Sequence, residues 1–477
     1  MLELLTAFDQ LITRINDFLY TYMLIIMLIG TGVLYTFRTG FVQFRMLREA
    51  VRVIMEKPVE EGSVSSFQAL MVSAACRLGT GNIVGVSTAL CLGGYGAVFW
   101  MWVMAFFGGA SAFVECTLSQ IYKKRGTYSS YGGTSYYIEE ILGSRALGVI
   151  FSFILIVTYA GGYNLVSAYN IQSAFQIYSF YDPATTPWII GAILAALTGW
   201  TLFGGGKRLI STTTVLVPVM GGCYLSVAFI LTVLHYDLLP MVFYKIFSEA
   251  FDFQAIFGGF TGSCVMYGIK RALFSNEAGI GASPNAAASA DVSHPVKQGL
   301  VMMMAVFIDT LIICSATAFM CLSSGVAPAQ EMAGAPYVQE ALNLTLGKGS
   351  EYFITFSMFL FGYTSLLGDL YYSDSCLQYI LGQEPGPKFA FVYRMLACLV
   401  IFVGAGVSMT TAWNMADFTL GCMIMINVPI LVVMGMPAID ALHDYKKQRK
   451  AGKNPVFKAS SIGITQKLDY WQDEPEK

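Results

Sequence analysis

Long runs without a charged side chain are the feature that most constrains this chain. Residues 18–37, 78–114 and 146–181 contain no Asp, Glu, Lys or Arg. A helix needs about 20 apolar residues to cross a hydrocarbon core of about 30 Å. Only 12% of the 477 residues are charged, whereas soluble proteins carry about 25%. We therefore predict an all-α polytopic membrane protein, since barrel strands would alternate in hydropathy.

The hydropathy pattern predicts eleven membrane helices. The first is a retained helix and not a signal peptide, because Glu3 and Asp9 precede it where a signal peptide has basic residues. The run over 78–114 is too long for one crossing and should fold back at residues 93–96. The predicted spans are 18–37, 66–92, 97–120, 146–178, 187–204, 211–235, 256–290, 298–324, 351–381, 389–409 and 412–436.

The distribution of Lys and Arg predicts the orientation. With the amino terminus outside, 22 of the 28 basic residues lie in inside segments, and three lie outside. Basic loops favour the cytoplasm, so we expect a multi-pass protein of the cytoplasmic (inner) membrane with its carboxyl terminus inside. Residues 437–477 carry a KKQRKAGK run and are expected to form a solvated or lipid-facing tail. A net charge of −2 gives no basic field for nucleic acid.

An internal repeat connects two distant segments. Residues 77–85 read RLGTGNIVG and residues 271–279 read RALFSNEAG, and in both Arg lies five residues before Asn. Glu115 and Asp309 each lie 33 residues past that Asn, at the same offset of 194 residues. The copies lie in the second and the seventh predicted spans, five spans apart, so they enter the membrane from opposite sides. An inverted repeat of five helices is an architecture of transporters. The predicted organisation is an amino-terminal membrane helix with a basic linker (1–64), two five-helix repeats (65–250 and 251–436) and the tail (437–477).

Each copy of the repeat should interrupt its own helix. Glycine inside a helix costs about 0.5–1 kcal/mol, and Glu277 would cost about 2.5–3.5 kcal/mol at the bilayer centre. Such costs persist where unwound backbone lines a wet cavity. Close helix packing would explain the glycines alone, but not Arg, Asn and Glu in the same stretch. Free N–H groups after a break suit an anion and free carbonyls before it suit a cation, so the breaks can hold a zwitterion and its driving ion.

Acidic residues inside the predicted spans are functional candidates unless they pair with a base. The bases within spans are Arg77, Lys270 and Arg271. For the two repeat-related acids, a structural ion pair or a gate is the favoured role. The five candidates are Glu115, Asp309, Asp369, Asp374 and Asp417.

Several motifs together resemble the alanine or glycine:cation symporter family. The resemblance covers roughly residues 18–440, and its most specific motif is GGYGAVFWMWVMAFFG at 93–108. It implies a LeuT-type fold with two inverted five-helix repeats plus one extra amino-terminal helix. It also implies uptake of a small neutral amino acid, chiefly alanine or glycine, coupled to sodium. The other motifs are TGFVQFR (39–45), SSFQAL (65–70), SNEAGIGASPNAAASA (275–290), HPVKQGL (294–300) and WNMADFTLG (413–421).

The resemblance also implies site residues. Backbone N–H groups of Thr80 and Gly81 would hold the substrate carboxylate, with Asn82 in the same site. A second sodium would bind near Asn82. Facing them from the second break, nearer the amino group of the substrate, would be Phe274, Ser275 and Asn276. Sodium would be held by carbonyls of Ala75, Leu78 and Phe361 and by hydroxyls of Thr364 and Ser365.

One stretch departs from the family pattern. Where much of the family has Trp in an ILGWSYYGE-like stretch, residues 367–372 read LGDLYY. If Asp369 faces the substrate, a more polar or amine-bearing amino acid becomes plausible. If Asp369 pairs with a neighbouring base, alanine and glycine remain the better prediction.

Other functions fit the sequence less well. A proton-coupled amino-acid transporter is the alternative within transport, and a passive channel is the alternative from another class. An enzyme is disfavoured because the chain has no HExxH, no GxSxG and no His cluster. Amino-acid substrate and membrane lipid are the expected partners, and no oligomeric state is predicted.

Overall fold

Helices account for nearly all regular structure in the part of the chain that the computed structural model describes, residues 2–126, 129–252 and 263–471. The first half contains α1 (Leu2–Leu19, Tyr20–Leu24 and Ile25–Arg38 in one continuous run), α2 (Val42–Arg45), α3 (Leu47–Ile54), α4 (Ser66–Arg77), α5 (Val84–Gly93), α6 (Gly96–Ile121), α7 (Thr134–Leu142), α8 (Arg145–Ser173), α9 (Thr186–Leu202), α10 (Gly205–Leu234) and α11 (Leu239–Ala250).

The second half has the same alternation of long and short helices. It contains α12 (Cys264–Asn276), α13 (Pro284–Ala287), α14 (Pro295–Leu322), α15 (Ala335–Leu346), α16 (Ser350–Leu381), α17 (Pro387–Gly404), α18 (Met409–Met434) and α19 (Met436–Lys450).

The membrane character predicted from hydropathy is confirmed. Eight of the described helices are long and apolar enough to cross a membrane, and the pair α4 and α5, bent by 60°, makes a ninth span. Two other predicted spans differ: α9 is a shorter apolar helix, and the span predicted at 256–290 begins in residues 253–262, outside the described residues. Large apolar side chains are exposed along α9, α10 and α17, as expected for helices that face lipid.

The predicted fold-back after α5 is present. Gly94 adopts a φ of +75°, a conformation that side chains disfavour, and α6 starts two residues later. From there α6 runs along α14, its counterpart in the repeat. The two helices approach closely because Gly299 has no side chain: a Cβ there would lie 2.1 Å from Thr117 Oγ1. This packing places Glu115 and Asp309 beside the broken helices.

The carboxyl-terminal segment corrects the prediction of a solvated or lipid-facing tail. Tyr445 on α19 is fully buried, and its hydroxyl donates to Glu49 at 2.5 Å. Further along, Trp471 Nε1 donates to the carbonyl of Gln120 at 2.8 Å, and Tyr470 donates to Asp291 at 2.8 Å. Aromatic side chains dispersed among polar residues anchor this segment to the membrane domain.

Candidate functional site

The first helix break separates α4 from α5. Leu78 leaves the helical region with ψ of 69°, Gly79 is extended, and Thr80–Asn82 form a 3-10 turn. Asn82 Oδ1 accepts the N–H of Gly79 at 2.9 Å and closes the turn. A Cβ on Gly79 would lie 2.0 Å from Ser365 Oγ. Glycine at position 79 therefore allows the side chain of Ser365 to contact the backbone of the first break.

The second break follows α12 and is longer. Glu277 adopts a left-handed conformation with φ of 54°, and Gly279 and Gly281 have φ of 78° and 83°. Asn276 Oδ1 accepts the N–H of Ala278 at 3.0 Å, which caps the end of the helix. The chain returns to helical conformation only in α13.

The two breaks face each other, as the repeat predicted. A Cβ on Gly81 would lie 2.9 Å from Phe274 Cδ1 and 3.6 Å from the Cα of Ser275. Asp309 joins the two segments, because it accepts hydrogen bonds from Asn82 Nδ2 at 2.6 Å and from Ser275 Oγ at 2.9 and 3.0 Å. Four of the predicted substrate-site residues are therefore brought together.

Glu115 holds the second break. Its carboxylate accepts the N–H groups of Gly279 at 3.3 Å and Gly281 at 3.1 Å, and Asn427 Nδ2 donates to it at 3.2 Å. No ion pair to Glu115 or Asp309 is found among the described residues. The predicted ion pair is therefore wrong for these two acids, while the gate role stays a prediction. Backbone N–H groups of the second break satisfy Glu115, whereas the side chains of Asn82 and Ser275 satisfy Asp309.

Arg77 spans the space between the breaks. Its Nε lies 3.7 Å from Glu277 Oε2, both side chains being fully buried. Its other nitrogens donate to Ser283 Oγ at 2.5 Å and to the carbonyl of Met302 at 3.2 Å. The end of α4 is thus connected to both sides of the second break.

The repeat-related Arg271 has a different environment. It donates to Asp417 Oδ2 at 2.6 Å, and Lys270 Nζ lies 2.8 Å from the same atom. The guanidinium of Arg271 also lies 4.1 Å from the ring centre of Trp413. Asp417 therefore forms ion pairs with bases inside the membrane spans, which is the structural role that the sequence analysis gave as an alternative to a functional one.

Helix α16 lies against the first break through two glycines. A Cβ on Gly362 would lie 3.1 Å from Thr80 Cγ2, and one on Gly368 would lie 2.8 Å from the backbone nitrogen of Cys76 and 3.2 Å from the carbonyl carbon of Ala75. The predicted sodium ligands of α4 and α16 are consequently close neighbours.

The hydroxyls predicted to bind sodium have different environments. Thr364 Oγ1 donates to the carbonyls of its own helix, Phe361 at 2.9 Å and Leu360 at 3.1 Å, and lies 3.5 Å from Met220 Sδ. Such internal bonding is common for Thr within helices. Ser365, by contrast, contacts the break itself at Gly79.

An aromatic cluster encloses the breaks on one side. The ring of Phe274 stacks on Tyr163, with centres 4.5 Å apart, and lies 4.6 Å from the ring of Trp413. Asn170 Nδ2 donates to Thr80 Oγ1 at 2.9 Å. These contacts come from α8 and α18, elements that the sequence analysis did not include in the site.

Glu277 has two tyrosine neighbours that sequence reasoning also missed. Tyr159 donates to its Oε1 at 2.7 Å, and Tyr372 donates to its Oε2 at 3.4 Å. Tyr159 and Tyr163 lie four residues apart on α8 and therefore on one face. This four-residue spacing, together with the polar Asn170 in the same apolar run, could have indicated from the sequence that α8 contributes to the site.

The remaining two acids on α16 differ from each other. Asp369 is fully buried, its oxygens have no hydrogen-bond partner among the described residues, and one of them lies within 4.8 Å of Cys76 Sγ and of a Glu277 oxygen. Asp374 lines a cavity of about 340 Å³ together with Arg394. Asp374 therefore lies outside the cluster between the breaks.

An all-helical membrane protein with two opposed helix breaks has the features of the LeuT-fold class of transporters. The structure matches a crystal structure of an Eremococcus coleocola manganese transporter mutant with a TM-score of 0.50 and 13% identity, over 84% of this chain and 91% of that one. This match supports the fold alone.

The sequence comparisons define the family. The profile of the sodium:alanine symporter family matches residues 5–459, so the chain belongs to this family of sodium- or proton-coupled symporters of small amino acids. It is 39% identical over 470 residues to the amino-acid carrier protein AlsT of Bacillus subtilis, covering 98% of this chain and 99% of AlsT. It is 37% identical over 465 residues to the probable sodium/glutamine symporter GlnT of the same organism, covering 97% and 96%. The chain is a transporter and not an enzyme.

Proposed function

We propose that this protein imports a small neutral amino acid of the alanine or glycine class together with Na⁺, by alternating access. The observation that carries the proposal is the direct opposition of the two breaks, with Gly81 against Phe274. Backbone N–H groups of Thr80 and Gly81 bind the substrate carboxylate, and Asn82, Phe274, Ser275 and Asn276 enclose the substrate.

The sodium site of the proposal lies between α4 and α16. Carbonyls of Ala75, Leu78 and Phe361 and the hydroxyls of Thr364 and Ser365 are its ligands. Thr364 donates its proton to helix carbonyls, which leaves its oxygen lone pairs free to accept a cation. One Na⁺ moving down 100 mV supplies about 2.3 kcal/mol, which supports roughly fortyfold accumulation.

The proposed topology has eleven spans in the inner membrane, with the amino terminus outside. The first span, in residues 1–64, precedes two inverted repeats at 65–250 and 251–436. The basic segments of the inside loops and of residues 437–477 support this orientation.

The proposal is tested in vesicles reconstituted with the purified protein. Alanine uptake should require an inward Na⁺ gradient at fixed pH and should exceed equilibrium. Uptake driven by a pH gradient without Na⁺ would support the proton-coupled alternative, and uptake that never exceeds equilibrium would support a channel.

The ion site is tested at Gly79 and Ser365. Ser365→Ala should raise the half-saturating Na⁺ concentration by about tenfold, equivalent to about 1.4 kcal/mol, because one ligand is lost. Gly79→Ala should have at least this effect, since the added methyl displaces the Ser365 hydroxyl. The double variant should be no worse than Gly79→Ala alone. Ser357→Ala, a buried serine on the same helix, is the matched control. Equal Na⁺ dependence in all variants would contradict the assigned site.

A further inference from the structure

Asp369 is the buried carboxylate whose charge the described protein does not satisfy. Glu115, Asp309 and Glu277 each accept at least two hydrogen bonds, and Asp417 accepts from two cations. Neither oxygen of Asp369 has a hydrogen-bond partner within the described ranges, although its side chain is fully buried. A buried, unpaired charge costs several kcal/mol, so Asp369 requires either a bound proton or a cation from outside the chain.

The surroundings of Asp369 show where that partner would bind. A carboxylate oxygen of Asp369, one of Glu277 and the thiol sulfur of Cys76 lie within 4.8 Å of one another. Because no two of these atoms are more than 4.8 Å apart, a point between them lies at most about 2.8 Å from each, within hydrogen-bond distance of an ammonium nitrogen placed there. Gly368 makes this possible, because a side chain there would collide with Cys76.

The charges of the cluster favour a cation. Arg77 lies beside Glu277 and bonds to the second break, so one fixed positive charge faces two carboxylates. A bound monocation would neutralise the remaining charge of Asp369. The cluster is assembled from three elements, α4, the second break and α16, and all three contribute to the proposed transport site.

The chemistry of the three atoms favours an ammonium group over a metal ion. An ammonium has three N–H donors, which match two carboxylate oxygens and one thiol sulfur. Na⁺ and other hard cations prefer oxygen ligands, and a thiol is a soft ligand. The oxygen-rich sodium site is proposed elsewhere, at Ser365.

We infer that Asp369, Glu277 and Cys76 bind an ammonium group of the transported amino acid. This inference rests on the proposed function as a Na⁺-coupled amino-acid symporter, and the second source below would extend its substrates from neutral to diamino acids. The ammonium has two sources: the α-ammonium that every amino-acid substrate carries, or the side-chain ammonium of a diamino acid. Either ammonium would be selected by the negative charge of Asp369 and by the three acceptor atoms of Asp369, Glu277 and Cys76 that surround it.

The test uses vesicles that contain the full chain and an inward Na⁺ gradient. Alanine uptake is measured in competition with L-2,4-diaminobutyrate and with L-norvaline, which has a methyl group where diaminobutyrate has its side-chain ammonium. The variants are Asp369→Asn, which removes the charge at constant shape, and Asp369→Glu, which retains it. Asp374→Asn, on the same helix but outside the cluster, is the matched control.

Two results would support the inference and distinguish the sources. If the α-ammonium binds, Asp369→Asn raises the KM for alanine at least tenfold, and Asp369→Glu restores part of the affinity. If the side-chain ammonium binds, the wild-type protein prefers diaminobutyrate to norvaline at least tenfold. Asp369→Asn then abolishes that preference and keeps the KM for alanine within twofold. The control should change none of these values.

Two other results would overturn it. In the first, Asp369→Asn keeps both the alanine KM and the competitor ratio within twofold. In the second, only the pH dependence of uptake shifts, which would assign a proton and not an ammonium to Asp369. If Asp369→Asn does not fold, Asp369→Glu decides, since a longer carboxylate should change the KM or the ratio at least threefold. Absence of Na⁺-dependent uptake of any amino acid by the wild type would instead refute the proposed function.

Discussion

The two helix breaks share one sequence pattern, but different hydrogen bonds stabilise them. The first break is short, and side chains stabilise it: Asn82 closes the turn on Gly79 and bonds to Asp309. The second break is long, and its backbone N–H groups at Gly279 and Gly281 bond to Glu115. Glu115 thus stabilises the break in the opposite half, whereas Asp309 links the first break to Ser275 in its own half.

The repeated arginines extend this difference. Arg77 points inward and connects the breaks through Glu277, whereas Arg271 points to Asp417 and Trp413. A repeat can therefore conserve the places where helices break while each copy takes a separate role. The first break is a compact turn closed by side chains, and the second is a longer, buried loop held through its backbone N–H groups.

Removing Arg77 should have the largest effect. Arg77→Leu leaves Glu277 buried without its cation, and losing one member of a buried pair costs about 3–5 kcal/mol. Arg271→Leu should cost less, about 1.5–3 kcal/mol, because Lys270 still pairs with Asp417. The measurement is the thermal unfolding midpoint of both variants in detergent. Equal losses would show that the two arginines have equivalent roles.

Neutralising Glu115 should loosen the second break alone. Glu115→Gln weakens charge-assisted hydrogen bonds to the Gly279 and Gly281 amides by about 1.5–3 kcal/mol in total. Hydrogen exchange measured by mass spectrometry should therefore accelerate in peptides that cover residues 277–283. Asp309→Asn is the comparison, because Asp309 receives side-chain donors at this end, and it should leave these amides protected. Faster exchange in both variants would remove the distinction between the breaks.

Adding a methyl group at Gly279 should cost about 1–2 kcal/mol, because its φ of 78° is strained for any residue with a Cβ. Gly161→Ala is the control, since a Cβ there meets nothing within 4 Å and its φ is ordinary. Unfolding midpoints of the two variants provide the measurement. A stable Gly279→Ala protein would mean that the second break does not need its left-handed backbone.

The smallest expected effect concerns the segment after the second break. Burial lowers the pKa of the His294 imidazole, although the hydrogen bond to Asp444 opposes this. The unfolded chain, with a histidine pKa of about 6.5, then binds a proton more readily than the folded one, and stability falls as pH drops below about 6.5. We expect the loss between pH 6.5 and 5.5 to be no more than about 1 kcal/mol.

Histidine variants test this pH dependence. His294→Gln should flatten the acidic side of the stability profile, whereas His443→Gln, at an exposed position, should not. An unchanged slope in His294→Gln would assign the acid sensitivity to other groups.

Sequence patterns predicted the parts of the site that depend on local chemistry. Glycine beside Asn and Arg in an apolar run marked both breaks, and the constant offset paired Glu115 with Asp309. The partners of these residues could not be predicted, since Glu115 and Gly279 are far apart along the chain and meet only through the packing of α6. The ion-pair prediction failed because it considered only charged partners, whereas backbone N–H groups satisfy Glu115.

Two regions show why the contacts between distant segments could not be predicted from the sequence. The tail was predicted as solvated because KKQRKAGK dominates its composition, but Tyr445 and Trp471 bind surfaces formed by distant segments. The aromatic cluster likewise depends on how Tyr163 of α8 and Trp413 of α18 pack around Phe274. Apolar periodicity within one span does not specify these contacts between helices.

A cryo-electron microscopy map of the protein purified with alanine and Na⁺ tests most directly whether both breaks enclose one solute. The expected result is alanine density between the Thr80–Gly81 backbone and Phe274, with an ion beside Ser365. Helices that continue without interruption through residues 77–85 and 271–279, or alanine bound away from both, would contradict the proposed site.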